Sequence, residues 1–299
     1  MSYTHGNTYK LSFADLPSHL TNPEKSLVKI FPVPYEATTT YKGGTKEAPD
    51  AIIQASKNLE LWDEELSIEP CEVGISTFPP FQCSSAGPKI AIKQIYEYTK
   101  KILENYPDRF YIFIGGEHSI TSGILKAFHS KFSSLSLLQL DAHADLRDTY
   151  QGSPYNHACV MRRIAEFVSF VQLGIRSLSK EEKDFIQKND IPYQTSAQIL
   201  QSDKWKKIID TKLSEKVYIT VDVDVLDPSI MPSVGTPEPG GLGWAKILEI
   251  IRYVAQRKKV MGIDIVEFSP IPGIIAPDFL VAKLIYKIIG YLVLYQKIP

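Results

Sequence analysis

The segment Leu137–Asp145, LLQLDAHAD, joins two incompatible environments within a few residues. Leu137, Leu138 and Leu140 form an apolar run with the length and flanks of a buried strand. Asp141, His143 and Asp145 follow at alternate positions, and alternate residues of an extended chain project to one side. Two carboxylates and an imidazole aimed at one point cost desolvation and mutual repulsion unless a cation compensates. Val217–Asp224 repeats the device: the apolar strand Val217–Val221 runs into Asp222 and Asp224. Open parallel sheets gather ligands at the carboxyl ends of their strands, so this pairing already points to a parallel α/β fold.

The rest of the chain fits that frame. Further strand candidates are Leu27–Val33, Cys71–Ser76, Phe110–Ile114, Val168–Ile175 and Val260–Ile265. Between them lie helix candidates at Ala51–Leu61, Lys89–Tyr106, Ser119 onward, Asn156–Phe167 (a turn and helix), Lys180–Asn189, Trp244–Lys258 and Pro277–Tyr295. Trp244–Lys258 carries apolar residues at 244, 247, 248, 251, 254 and 255, an amphipathic helix. Strands alternating with helices from end to end imply one parallel sheet covered on both faces. No linker, repeat or low-complexity stretch divides the sequence. The expectation is a single domain over residues 1–299, with 1–26 as a polar N-terminal arm.

Net charge is −1 and there is no basic block, so no electrostatic footprint exists for nucleic acid or an anionic membrane surface. Cys71, Cys83 and Cys159 are scattered without CxxC spacing, which suits a reducing compartment. The start, MSYTHGNTYKLSF, lacks the basic and apolar regions of a signal peptide. Lys283 and Lys287 interrupt Phe279–Tyr295, which reads as a buried terminal helix with one polar edge, not a membrane span. The expected address is the cytoplasm. The loop Pro34–Pro49 holds Thr38–Thr40, Gly43 and Gly44, but lacks the spacings of phosphate-binding loops.

His118, in Gly115-Gly116-Glu117-His118-Ser119, follows the strand Phe110–Ile114, and its two glycines suit a tight turn. Asp227, before Pro228, reads as a turn residue or a support for the ligands. The inventory at the sheet edge is then Asp141, Asp145, Asp222 and Asp224 with His118 and His143. Four carboxylates are too many for a structural zinc site. Oxygen donors with two imidazoles suit Mn²⁺, and two ions are needed to neutralise four carboxylates. Two such ions roughly 3.5–4 Å apart can activate one water and polarise the group it attacks.

GGEHS (115–119), DAHAD (141–145), DVDVLDP (222–228) and VGTPEPGGL (234–242) resemble the signatures of the ureohydrolase family, the agmatinases, arginases and their relatives, and the match runs from about Pro32 to the C-terminus. The resemblance implies a three-layer α/β/α sandwich around an eight-stranded parallel sheet, of the arginase/deacetylase type. It also implies a dinuclear manganese centre that hydrolyses a guanidino group to urea and an amine. Carried onto this chain, His118 and Asp145 would hold one manganese and His143 and Asp224 the other, with Asp141 and Asp222 contacting both. His157 would be the catalytic proton shuttle beside the substrate, or Asp145 would relay the proton. Glu267, in Val266-Glu267-Phe268-Ser269-Pro270, would bind the guanidinium, as a carboxylate facing a planar cation can. Glu117 stands where many arginases have aspartate and matches a bacterial and archaeal agmatinase-like branch. Arg176 is expected to be structural, Cys159 to pack, and His5, His19 and His129 to be surface or core-edge residues.

The loop Leu146–Tyr155 resembles that of agmatinases, and Asp148 with its nearby tyrosines would suit a cationic amine tail. Agmatine, giving putrescine and urea in polyamine biosynthesis, is therefore the first expectation. N1-aminopropylagmatine, giving spermidine, comes second, ahead of a guanidino acid. From other classes, a zinc deacetylase on the related fold would need only a single-metal ligand set, and a catalytically dead scaffold paralogue would not need intact ligands. Homo-oligomers, trimers or hexamers, follow from the resemblance alone.

Overall fold

The computed structural model describes residues 12–296. In chain order its main elements are β1 (Val28–Val33), α1 (Ala48–Ser56), β2 (Ile75–Thr77), α2 (Pro88–Asn105), β3 (Phe110–Gly115), α3 (Ile120–Lys131), β4 (Leu135–Leu140), α4 (Val160–Ile164) and β5 (Ser169–Gly174). There follow α5 (Lys180–Lys188), β6 (Tyr193–Thr195), α6 (Ser196–Gln201), α7 (Lys204–Lys212), β7 (Lys216–Asp222), α8 (Trp244–Arg257), β8 (Lys259–Val266) and α9 (Ala276–Gln296). The eight strands form one sheet in the order β2-β1-β3-β8-β7-β4-β5-β6, with every pairing parallel.

Successive side chains of each central strand feed opposite layers. Ile112 and Ile114 of β3, and Leu138 and Leu140 of β4, pack with residues of α1, α7, α8 and α9. Tyr111 and Phe113, with Leu135 and Leu137, pack instead against α2, α3, α4 and α5. Burial on both faces is why these strands read as continuous apolar runs. The result is the expected three-layer sandwich. The four central strands β3, β8, β7 and β4 are contiguous, and all release their chains at one edge.

Local differences from the sequence reading have physical causes. Residues 12–26 are irregular but not a loose arm: Phe13, Ala14 and Leu16 are buried, and the backbone N–H groups of Phe13 and Ala14 donate to Thr77 and Ser56. Residues 1–11, with His5, lie outside the described residues. The strand expected at Cys71–Ser76 begins only at Ile75, because Pro70–Val73 forms a 3-10 turn. Helix α1 starts at Ala48, with Pro49 in its first turn where a missing N–H costs nothing, and ends at Ser56. The segment β6–α7 carries too short a strand and too polar a helical pattern to stand out from sequence. Lys287 is no polar edge: it is buried, pairing with Asp63 at 2.9 Å and Glu65 at 2.7 Å. No helix among the described residues is long and apolar enough to cross a membrane.

Candidate active site

The glycines before His118 serve close approach more than turn geometry. A Cβ on Gly116 would lie 2.0 Å from the Tyr35 carbonyl oxygen, and one on Gly115 would strike Ile120 and Val266. With both side chains absent, β3 passes tightly between β1 and β8, and His118 is delivered fully buried at the start of α3. His118 Nδ1 then lies 2.9 Å from Asp145 Oδ2, 3.2 Å from Asp141 Oδ2 and 3.5 Å from Asp222 Oδ2. On the other side of Asp141, His143 Nδ1 lies 2.8 Å from Asp224 Oδ2 and 3.7 Å from Asp141 Oδ1. Two ligand groups result, His118–Asp141–Asp145 and Asp141–His143–Asp224, with Asp141 common to both.

The loop geometry differs from simple alternation. Asp145 has φ 53°, left-handed, so the chain has turned by the third ligand instead of continuing as a strand. Its carbonyl is held by the N–H groups of Met161 and Arg162, which offsets a conformation costing roughly 1–2 kcal/mol for a residue with a Cβ. Glu267 also has φ 62°, with its N–H donating to the Gly116 carbonyl. Backbone hydrogen bonds aim the other carboxylates: Ala142 N–H donates to Asp224 at 3.0 Å, and Asp224 N–H to Asp222 at 2.9 Å.

Divalent cations fit this donor set. Thr220 donates its only hydroxyl proton to Asp264, at 2.5 Å, so it can only accept from His118 Nε2, 2.9 Å away. The proton of neutral His118 therefore sits on Nε2, and the Nδ1 lone pair faces three carboxylates. That atom is buried and has no hydrogen-bond partner while the ring is neutral. With no cation present the ring takes up a proton instead, Asp141 and Asp145 raising its pKa well above the usual imidazole range despite burial. A lone pair among anions is an electrostatic conflict that a cation resolves. Without one, the carboxylates resist ionisation: burial and then Asp224 push Asp141 up to about 7, and the same causes raise Asp222 well above the carboxylate range. Asp224 is held low despite its burial because His143 lies beside it.

Above the ligands opens a cleft of about 270 Å³, lined by His143, Asp145, Asp222, Asp224, His157 and Glu267. Glu267 Oε1 accepts the His118 N–H at 2.6 Å. Burial, chiefly, raises its pKa to about 8. His157 opens a 3-10 turn capped by Asn156, whose side chain accepts from Ala158 N–H. The six expected ligands, with His157 and Glu267, thus lie in or directly beneath one cleft.

Other parts of the wall carried no sequence signal. Thr39, Thr40, Tyr41 and Lys42, from the Pro34–Pro49 loop, and Arg147 and Glu182 also line the cleft. Asp148 does not: its exposed carboxylate is taken by Arg163 at 2.6 Å. Tyr150 does line the cleft, with the Arg147 guanidinium 4.9 Å from its ring. Arg176 is structural, donating to the carbonyls of Asp224 and Glu238 and so tying β7's exit to the 234–242 loop. Asp227 pins the same loop, accepting from Gly240 and Gly241, with hydrogen bonds led by Ser229 lowering its pKa to about 2.

The arginase family model matches residues 26–290. The N(1)-aminopropylagmatine ureohydrolase of Synechocystis sp. is 39% identical over 280 residues, 91% of either chain. The agmatinase of Pyrococcus horikoshii is 37% identical over 262 residues, covering 87% of this chain and 90% of that one. The crystal structure of agmatine ureohydrolase from Thermoplasma volcanium superposes with a TM-score of 0.85 at 32% identity, covering 94% of both chains. The family implies a binuclear metal site and a guanidino substrate, which the two ligand groups sharing Asp141 accommodate. The chain belongs to the arginase family and is a ureohydrolase.

Proposed function

We propose that the chain hydrolyses the guanidino group of N1-aminopropylagmatine to spermidine and urea, with two Mn²⁺ held by His118, Asp141, His143, Asp145, Asp222 and Asp224. The observation that carries the reaction class is the buried His118 Nδ1 within 3.5 Å of three carboxylates, directly under a cleft that also presents Glu267. For the substrate, support comes from the ordering of relatives. Identity and coverage are higher with the aminopropylagmatine enzyme of Synechocystis than with the agmatinase of Pyrococcus, which reverses the preference drawn from the Leu146–Tyr155 loop. The role given there to Asp148 is also lost to Arg163.

The net reaction adds water to the guanidinium carbon and expels the substituted nitrogen, so guanidinium plus water becomes urea plus an ammonium. When bound, the cation pair supplies Lewis acidity and lowers the pKa of the attacking water. Glu267 accepts guanidinium N–H bonds, and its attachment to His118 N–H fixes the carboxylate relative to the ligands. That positions the carbon over the cluster. Amines leave poorly until protonated, and His157 at the cleft wall delivers the proton to the departing nitrogen. Agmatine is the second reading, because it presents the same guanidinium with a shorter tail.

Urea release by the Mn²⁺-loaded protein separates these readings. N1-aminopropylagmatine should exceed agmatine in kcat/KM by at least about tenfold, with L-arginine and guanidinobutyrate near background. The reverse order would make the chain an agmatinase. Preference for a guanidino acid would overturn both amine readings.

A further inference from the structure

Beneath His157 lies a buried chain of hydrogen bonds that none of the metal ligands joins. Thr38 Oγ1 donates to Glu117 Oε1 at 2.8 Å. Glu117 also accepts from Ser119 Oγ at 2.5 Å and from the backbone N–H groups of Ala37 and Thr38, both at 2.6 Å. A hydroxyl has one proton and two lone pairs, so Thr38, having given its proton to a carboxylate, can only accept. It accepts the His157 backbone N–H at 3.0 Å, and His157 Nδ1 lies 3.2 Å away. A lone pair at Nδ1 would face another lone pair. Nδ1 must therefore carry a proton.

We propose that Thr38, oriented by Glu117, fixes His157 as the Nδ1–H tautomer and thereby makes Nε2 the atom that exchanges the reaction's proton. Thr38 and Glu117 are positioning residues: they act through His157 and touch no substrate. The role rests on the proton delivery assigned to His157 above. Nδ1–H stays on the ring throughout. Nε2, a lone pair in that tautomer, first takes a proton from the attacking water and then gives it to the leaving nitrogen, and the water's second proton completes the departing ammonium. Aspartate buried behind a histidine performs the comparable service in serine hydrolases, where the wrong tautomer is costly. Here a neutral hydroxyl stands between carboxylate and ring, so the carboxylate's acceptor character is transmitted through the direction of one O–H bond.

Glu117→Gln tests that direction. The two backbone N–H donors at Oε2 require the amide oxygen there, which places the NH₂ group at the Oε1 position facing Thr38. Thr38 would then accept from the amide and donate to His157 Nδ1, inverting the tautomer. Long-range ¹H–¹⁵N correlation of the full-length chain, ¹⁵N-labelled at histidine and kept metal-free at alkaline pH, reads this without activity. Wild type should show Nδ1–H at His157, and Glu117→Gln should show Nε2–H. An Nε2–H tautomer in wild type would overturn the inference.

Turnover supplies the second arm. Thr38→Val should lower kcat at least about tenfold with KM within about twofold, and Thr38→Ser should restore it. In a His157→Ala background Thr38→Val should change nothing further, as expected for residues acting as one unit. A loss from Thr38→Val that persists in that background would overturn the inference. Full turnover by His157→Ala alone, or no urea from any guanidine, would instead refute the proposed function, and the tautomer measurement would still decide the wiring.

Discussion

Replacing Glu267 with glutamine removes one charge while keeping shape, and the structure dictates how the amide will sit. Glu267 Oε1 accepts the His118 N–H at 2.6 Å, so the amide oxygen must stay on that side and the NH₂ group must face the cleft. There it confronts guanidinium N–H donors in place of accepting them. A hydrogen bond between charged partners is worth about 1.5–3 kcal/mol, which corresponds to about a ten- to 150-fold loss in kcat/KM. Donor facing donor makes that range a lower bound. Manganese content should stay unchanged, since the His118 contact survives. A loss of less than about threefold would refute the assignment of Glu267 to the guanidinium. The same substitution has a stability signature in the chelated protein. The folded-state pKa is raised from 4.5 to about 8, so the buried carboxyl prefers its proton in the fold. The unfolded chain releases that proton first as pH rises, and wild-type stability should fall through the window from 4.5 to about 8. Glu267→Gln should lack that component of the fall. Identical pH profiles of melting temperature for the two proteins would show that burial does not govern this carboxyl.

Asp141→Asn should lower bound manganese below two ions per chain and abolish urea release together, because Asp141 belongs to both ligand groups; retained stoichiometry by atomic emission would exclude its shared role. Lys287→Met strands the buried Asp63 carboxylate and should cost about 3–5 kcal/mol, a melting shift of ~6–10 °C by calorimetry. Gly116→Ala places a methyl 2.0 Å from the Tyr35 carbonyl oxygen, and should cost about 1–3 kcal/mol in denaturant unfolding while displacing the loop that carries Thr38.

The layers and the ligand set were legible in the sequence because both follow local rules. Buried parallel strands are apolar runs, and ligands cluster where such runs stop, so Leu137–Leu140 before Asp141 and Val217–Val221 before Asp222 announced the site edge. Alternation was nonetheless an incomplete reason for Asp145, whose left-handed backbone turns it toward His118. Residues that work through distant partners were silent. Thr38 meets His157 across 119 positions, and Lys287 meets Asp63 across 224, so no local period marks either. Asp148 shows the opposite error, a charge close in sequence to the site whose partner, Arg163, turns it elsewhere. Periodicity gave seven strands. The eighth, Tyr193–Thr195, is too short to carry a pattern, and only the family resemblance supplied it.

Manganese titration with urea release tests the centre most directly. Increments of Mn²⁺ are added to chelator-stripped protein, and bound ion and initial rate on N1-aminopropylagmatine are measured in the same samples. A site whose two ligand groups share Asp141 should give activity that rises with occupancy and saturates at two ions per chain. Full activity at one ion, or undiminished activity in stripped protein, would contradict a two-ion site for guanidine hydrolysis.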